Sequence, residues 1–281
     1  MLVFMIYTHI AQRYDFYKTN YTQALLYLFG CFMPWFFFKG GMFFKKEIEF
    51  KIYCLNSIRR LLYPYILWSI VGTITYIIYK YVQSGFCDLG KVLSDFVFVF
   101  FFNGSVEGNL PLWFLFSLFF VRILHHFFSI YINRKELLAF LLFVIAYYLS
   151  AIGFARPMWI GNICLGWCFF CLGDILKDIQ FKRNLFYCAI LIFVTIEILE
   201  FSMVGFRSNK LICGNYIFWF FEALCGIIIF NNVFLLLEKH TPFSSSSFAS
   251  CMAFIGKKTM TVYVTHWPIL YIVDVVLKKY I

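Results

Sequence analysis

Long apolar stretches recur along nearly the whole chain, and they limit its folds more than any other feature. A helix needs about 20 mostly apolar residues to cross a hydrocarbon core about 30 Å thick. Eight stretches reach about that length: Gln23–Phe44, Leu61–Val82, Leu110–Ser129, Leu137–Phe154, Trp159–Leu176, Leu185–Gly205, Ile212–Leu237 and Thr259–Val276. In lipid every backbone N–H and C=O must be satisfied internally, so such stretches become helices. The composition, 63% hydrophobic and 14% charged, is far from the roughly 45–50% and 25% of a soluble domain. A soluble globular enzyme, a fibrous protein and a disordered chain are therefore set aside. The expected fold is all-α, a polytopic membrane helix bundle of about 8–10 transmembrane helices. No Pro/Gly-rich linker divides it, so residues 1–281 are expected to form a single integral membrane domain.

Three shorter stretches need separate readings. Asp95–Phe102 is too short to cross and reads as interfacial or re-entrant. Phe248–Ile255 leads into the last helix. Met1–Ile10 spans only about 15 Å at about 1.5 Å per residue, which resembles the second half of a membrane helix.

Loop charge gives an orientation. The formal balance is +10. One set of loops carries Lys45, Lys46, Lys51, Arg59 and Arg60, then Arg134 and Lys135, then Lys177, Lys182 and Arg183, then Lys239, Lys257 and Lys258. The opposite set carries fewer, among them Arg13, Lys18, Lys80, Lys91, Arg156, Arg207 and Lys210. Lys/Arg excess marks the first set as cytoplasmic. That places Arg60 toward the inner face and His9 toward the outer one. The positive charge lies in short loops and suits anionic headgroups, so membrane lipids are expected partners and nucleic acid is not.

The cysteines sit mainly inside apolar stretches and read as small hydrophobes. Cys168-Phe-Phe-Cys171 lacks the second pair that a zinc or redox motif needs. The sequence has no Walker-type loop, no His-Glu-x-x-His and no Gly-x-Ser-x-Gly. ATP-driven transport and zinc proteolysis lose support, and no metal or permanently bound cofactor is expected.

An ionisable residue inside a spanning helix is costly and is a functional candidate by default. Those that stand out are His9, Lys39, Arg122, Glu197 with Glu200, Glu222 and His266. His9 ends the apolar run from Leu2; a histidine can take and return a proton near neutrality, but it also suits a membrane interface. His266 stands near Pro268, which breaks the local hydrogen-bond ladder and frees carbonyls that could satisfy an imidazole. Lys39-Gly40-Gly41 interrupts an aromatic helix, and the glycines permit close approach by another helix or a substrate. Arg122 lines a polar cavity or snorkels to the inner face. Glu197 and Glu200 share a helix face, where they could hold a cation or a sugar. Arg59 and Arg60 could hold phosphates or simply anchor the loop.

Four ordered segments resemble the acyltransferase 3 family of integral membrane acyltransferases. They are Leu2-Val-Phe-Met-Ile-Tyr-Thr-His9; Met33-Pro-Trp-Phe-Phe-Phe-Lys-Gly-Gly-Met-Phe-Phe44 with Arg59-Arg60-Leu-Leu-Tyr-Pro64; Pro111-Leu-Trp113-Phe-Leu115; and Phe254-Ile-Gly256-Lys-Lys-Thr-Met-Thr-Val-Tyr263-Val-Thr-His266. Phe169-x-x-x-Gly173 is similar to a middle-helix pattern of the same family. The Lys-Gly-Gly variant looks most like the fucose 4-O-acetylase-related branch. The family's basic residue, about ten positions before the first-helix histidine, would precede Met1, which implies an N-terminal truncation.

The resemblance implies a membrane-bound O-acyltransferase, with an acetyl group as the expected cargo. Acyl-CoA would be the donor, and a hydroxyl of a cell-surface glycan or its lipid-linked precursor the acceptor. It implies His9 as catalytic base or transient acyl carrier, and Arg59 and Arg60 as donor-binding residues. Trp113 would shape the acceptor path, since aromatic faces stack on sugars. Lys39, Glu197 and His266 are expected polar contacts to substrate. An integral, multi-pass place in the plasma (cytoplasmic or inner) membrane follows. The competing reading is a transporter or flippase of a glycan intermediate, with Glu197, Glu200 and Glu222 on a proton or cation path; such a protein should show inverted repeats, and none is visible.

Overall fold

The computed structural model describes residues 2–14, 25, 30–102, 104–152, 158–177, 183–199, 215–239 and 247–280. The described residues are almost entirely helical and contain no strand, only an isolated bridge between Val106 and Asn109. We number the helices α1 (Leu2–Arg13), α2 (Phe32–Met42), α3 (Phe50–Ser84), α4 (Leu89–Phe102), α5 (Trp113–Tyr131), α6 (Lys135–Ala151), α7 (Met158–Leu176), α8 (Arg183–Ile198), α9 (Tyr216–Lys239), α10 (Ser247–Lys257) and α11 (Thr259–Tyr280). A 3-10 turn, Leu110–Leu112, leads into α5.

Among the described residues, five stretches are long and apolar enough to cross a membrane: Phe50–Ser84, Leu110–Tyr131, Trp159–Leu176, Tyr216–Lys239 and Thr259–Val276. Three further expected spans are seen in part. The first half of Gln23–Phe44 and the end of Leu185–Gly205 lie largely outside the described residues. The helix expected at Leu137–Phe154 is α6, which opens on Lys135 and Glu136. Large apolar side chains such as Ile70, Ile74 and Ile78 of α3 and Phe140, Val144 and Tyr148 of α6 are exposed. In water that would be an untenable surface; against lipid it is the expected one.

Two compact units partition the chain. One comprises residues Met1–Phe36, Asp178–Phe206 and Ile212–Tyr263; the other comprises Phe37–Lys177, Arg207–Leu211 and Val264–Ile281. In the first unit α8 packs on α9 through Ala189, Phe193 and Cys225. Trp35 donates its indole N–H to Asn231 Oδ1 at 3.1 Å.

The second unit shows how helices associate when lipid is as apolar as their side chains. Burial in lipid supplies little drive, so small residues and polar ties take over. A Cβ added at Gly41 would collide with the carbonyl oxygen of Phe170, and one added at Gly173 with the carbonyl oxygen of Phe38. α2 and α7 therefore meet backbone to backbone. The Gly40–Gly41 pair serves a neighbouring helix, one of the two uses open from the sequence.

The expected span Leu61–Val82 is instead a helix starting at Phe50, and a π turn at Ile58–Leu62 explains how it continues. Tyr63 N–H reaches back five residues to Ile58 C=O. Pro64 follows at once; it has no N–H and its ring would clash with the carbonyl of Arg60 in a regular α-helix. The wider turn removes that clash. It also serves burial. Tyr53, Ser57, Leu61, Tyr65 and Ser69 are all buried at a spacing of four. In a regular helix that spacing walks around the axis by about 40° per step; the π turn takes back part of the drift.

Asp95–Phe102 proves to be the end of the 14-residue α4. The loop after it is buried: Ser105, Val106 and Asn109 expose 3% or less. Gly108 of this loop meets Gly72 of α3 so closely that a Cβ on either would strike the other's carbonyl. Irregular backbone at membrane depth is tolerated where protein covers it in this way.

Candidate functional site

The sequence candidates fall in both units. In the first, α1 buries Phe4, Met5, Thr8 and Ala11, while Val3 and Tyr7 are exposed. His9 is half-buried beside Thr8, at the edge of that buried face. Thr8 ties its hydroxyl to the carbonyl of Met5 at 2.7 Å. Glu197 of α8 lies close to Glu222 of α9, and Glu222 is 4% exposed. The sequence paired Glu197 with Glu200; Glu200 lies outside the described residues, and the partner found is Glu222.

In the second unit the candidates occupy different levels. Arg59 and Arg60 are exposed on the π turn of α3. Lys39 is half-buried on α2, between the level of Phe114, whose ring meets Phe37 at 5.0 Å, and that of Leu118, which flanks Gly40. Trp113 is buried at the start of α5. α3 and α5 run antiparallel, with Ser57 beside Arg122 and Tyr65 beside Phe116. Trp113 thus stands about 13 Å along α5 from Arg122, at about 1.5 Å per residue. The arginines and Trp113 are not one cluster.

His266 is buried at 6% exposure within α11, which runs unbroken through Pro268. Pro268 breaks no helix here. Its missing N–H would have bonded Val264 C=O, and Asn109 Nδ2 donates to that oxygen at 2.9 Å instead. The carbonyl freed by the proline is taken by an asparagine, not by the imidazole.

The most connected polar cluster was not assembled from the sequence. Asp174, near the end of α7, has a fully buried side chain. It receives His125 Nε2 at 3.2 Å, Lys135 Nζ, and Lys177 Nζ at 3.1 Å. Trp167 Nε1 donates to His125 Nδ1 at 3.2 Å. An indole N–H can only donate, so Nδ1 accepts and Nε2 carries the hydrogen given to Asp174. Both ring nitrogens are committed. His125 ties α5 to α7, Lys135 of α6 joins them through Asp174, and His125 has no lone pair left for a substrate. Cys171 lies 3.4 Å from His125 Nδ1, and Cys168 donates to Ala139 C=O at 3.3 Å; both are packing groups. The readable signal was Asp174 itself, an ionisable residue inside an apolar stretch.

Beside this tie, Arg122 donates Nε–H to Ser57 Oγ at 3.3 Å, and its guanidinium lies 4.8 Å from the ring centre of Tyr53. His126 donates Nε2–H to Ile48 C=O at 2.8 Å, since that oxygen can only accept. Among the described residues no group of three or more His, Cys, Asp or Glu is placed to hold a metal ion.

The helical fold and its lipid-suited surface define a multi-pass membrane protein. Residues 1–281, the whole chain, match the acyltransferase 3 family, described as an acyltransferase domain, and the chain belongs to that family of membrane acyltransferases. No curated protein and no solved structure matches it.

Proposed function

We propose that this membrane acyltransferase is an O-acyltransferase, specifically an O-acetyltransferase, of the plasma (cytoplasmic or inner) membrane. It transfers the acetyl group of acetyl-CoA to a hydroxyl of a cell-surface glycan or its lipid-linked precursor. The observation that carries this reading is a histidine, His9, at the rim of a buried helix face in a chain matched end to end by an acyltransferase family.

The chemistry needs such a group. A sugar hydroxyl is a poor nucleophile at neutral pH, so a base must take its proton as the oxygen attacks the thioester carbonyl. His9 takes that proton. The new C–O bond forms, the C–S bond breaks, and the departing CoA sulfur receives the proton from the imidazolium. Carriage of the acetyl group on His9 itself would divide the same balance into two steps. Arg59 and Arg60, exposed on the π turn, suit the donor's phosphates. Trp113 bounds the acceptor's path, and Lys39, Glu197 and His266 supply polar contacts.

General-base catalysis contributes about 10²–10⁴-fold. His9→Ala should therefore lower glycan O-acetylation in cells by about that factor at unchanged expression. Near-normal acetylation would remove His9 from the mechanism.

The closeness of Glu197 and Glu222 favours one other reading, a proton-coupled carrier or flippase of a glycan intermediate. Deletion of the gene separates the two: an acyltransferase loses acetylation and keeps glycan export, and a flippase loses export.

A further inference from the structure

We propose that Arg122 is a third phosphoryl-binding residue at the Arg59–Arg60 end of α3, aimed there by Ser57 and Tyr53. The proposal deepens the donor reading and rests on it only for the source of the phosphoryl group.

Arg122 lies within Leu110–Tyr131, a stretch apolar enough to span a membrane, and is half-buried. A snorkelling arginine keeps its head in water on a loose stem. This one is tied at both edges: Nε–H to the fully buried Ser57 hydroxyl, and the guanidinium plane over Tyr53. Both neighbours orient the charge, and neither neutralises it. Among the described residues no carboxylate pairs with Arg122, Arg59 or Arg60. A partly buried cation without an anion is unfavourable, so the arrangement calls for an anion from outside.

The geometry specifies the anion. With Nε–H spent on Ser57, the terminal amino groups of Arg122 keep their hydrogens in the two-pronged fork that matches phosphate oxygens. Ser57 is the residue immediately before the π turn, and Arg59 and Arg60 follow it by two and three positions, so Arg122 meets α3 within about one turn of both arginines. Two buried polar atoms complete the setting. The Tyr53 hydroxyl and His126 Nδ1 have no hydrogen-bond partner among the described residues, and their rings lie 4.5 Å apart. The hydroxyl can donate to a phosphoryl oxygen, and Nδ1 can accept from a water or a ligand N–H. A nucleotide phosphate of the donor and an anionic lipid headgroup share this chemistry.

The test uses purified full-length protein in nanodiscs of zwitterionic lipid, with acetyl-CoA as probe. Charge-assisted hydrogen bonds of this kind correspond to about 10- to 100-fold in affinity. R122Q should raise the Kd for acetyl-CoA by that factor without lowering the melting temperature of the ligand-free protein. R122K keeps the charge but not the fork and should fall between, and S57A should give a smaller rise in the same direction. If the phosphoryl group belongs to a lipid, R122Q will leave the Kd unchanged and will lower retention of phosphatidylglycerol in native mass spectrometry. Unchanged acetyl-CoA binding together with unchanged lipid retention overturns the proposal. Should R122Q destabilise the ligand-free protein, R122K decides on the same two readouts. A wild-type protein that binds no acetyl-CoA defeats the donor reading, and the lipid arm still decides the role of Arg122.

Discussion

Asp174 shows what a single buried charge demands of its surroundings. Its carboxylate is shared by His125, Lys135 and Lys177. The lysine side chains keep about a third of their exposure, so they can relax toward water if the carboxylate is lost, while His125 cannot. Asp174→Asn should cost about 3 kcal/mol, the low end of the range for breaking a buried pair, read as a fall in thermal stability in detergent. An unchanged melting temperature would mean the cluster is not a structural tie. Single residues were legible in the sequence to the extent that their chemistry was out of place. Arg122 and Glu222 declared themselves as ionisable groups in apolar stretches. The pairings did not, because Ser57 reaches Arg122, and Glu197 comes close to Glu222, only once particular helices pack. Asp174 obeyed the same rule as Arg122 and was overlooked because it sits two residues from the end of its stretch, where a charge normally reaches the interface.

Among elements, the seam between α2 and α7 is the most exacting. Gly41→Ala would drive a methyl group into the carbonyl of Phe170, a rigid backbone atom that cannot step aside. The variant should lose most of its monodisperse, detergent-extracted protein. Gly161→Ala, also on α7, places its methyl in open space and should express as the wild type does. Equal behaviour of the two would refute the seam. The helices themselves were legible, since apolar length near 20 residues is a direct consequence of bilayer thickness. Their irregularities were not. Pro64 stands in one of the spans, but only the course of the backbone shows that the chain answers it with a π turn and continues rather than stopping.

For the molecule as a whole, loop charge is the feature with a physical reading, since Lys and Arg are retained on the cytoplasmic side. Single cysteines placed at Lys18 and Lys257 in a background without the native thiols should differ in labelling from outside the cell. A cysteine at Lys18 should react with an impermeant reagent, and one at Lys257 should not; the reverse result inverts the orientation assigned to Arg60 and His9. The class of fold followed from composition and spacing alone. The polar cluster around Asp174 did not, because His125, Lys135 and Lys177 reach one carboxylate only through the packing of separate helices.

The hydrogen bond from Asn109 to Val264 bridges 155 positions of sequence. A ribosome delivers the asparagine long before the proline-disrupted segment it completes. Until α11 arrives Asn109 lacks this acceptor, and Val264 C=O lacks the N–H that a residue other than proline would have supplied at position 268. The contact is thus fastened only once α11 has been made, by a stitch whose first half was laid down 155 positions earlier.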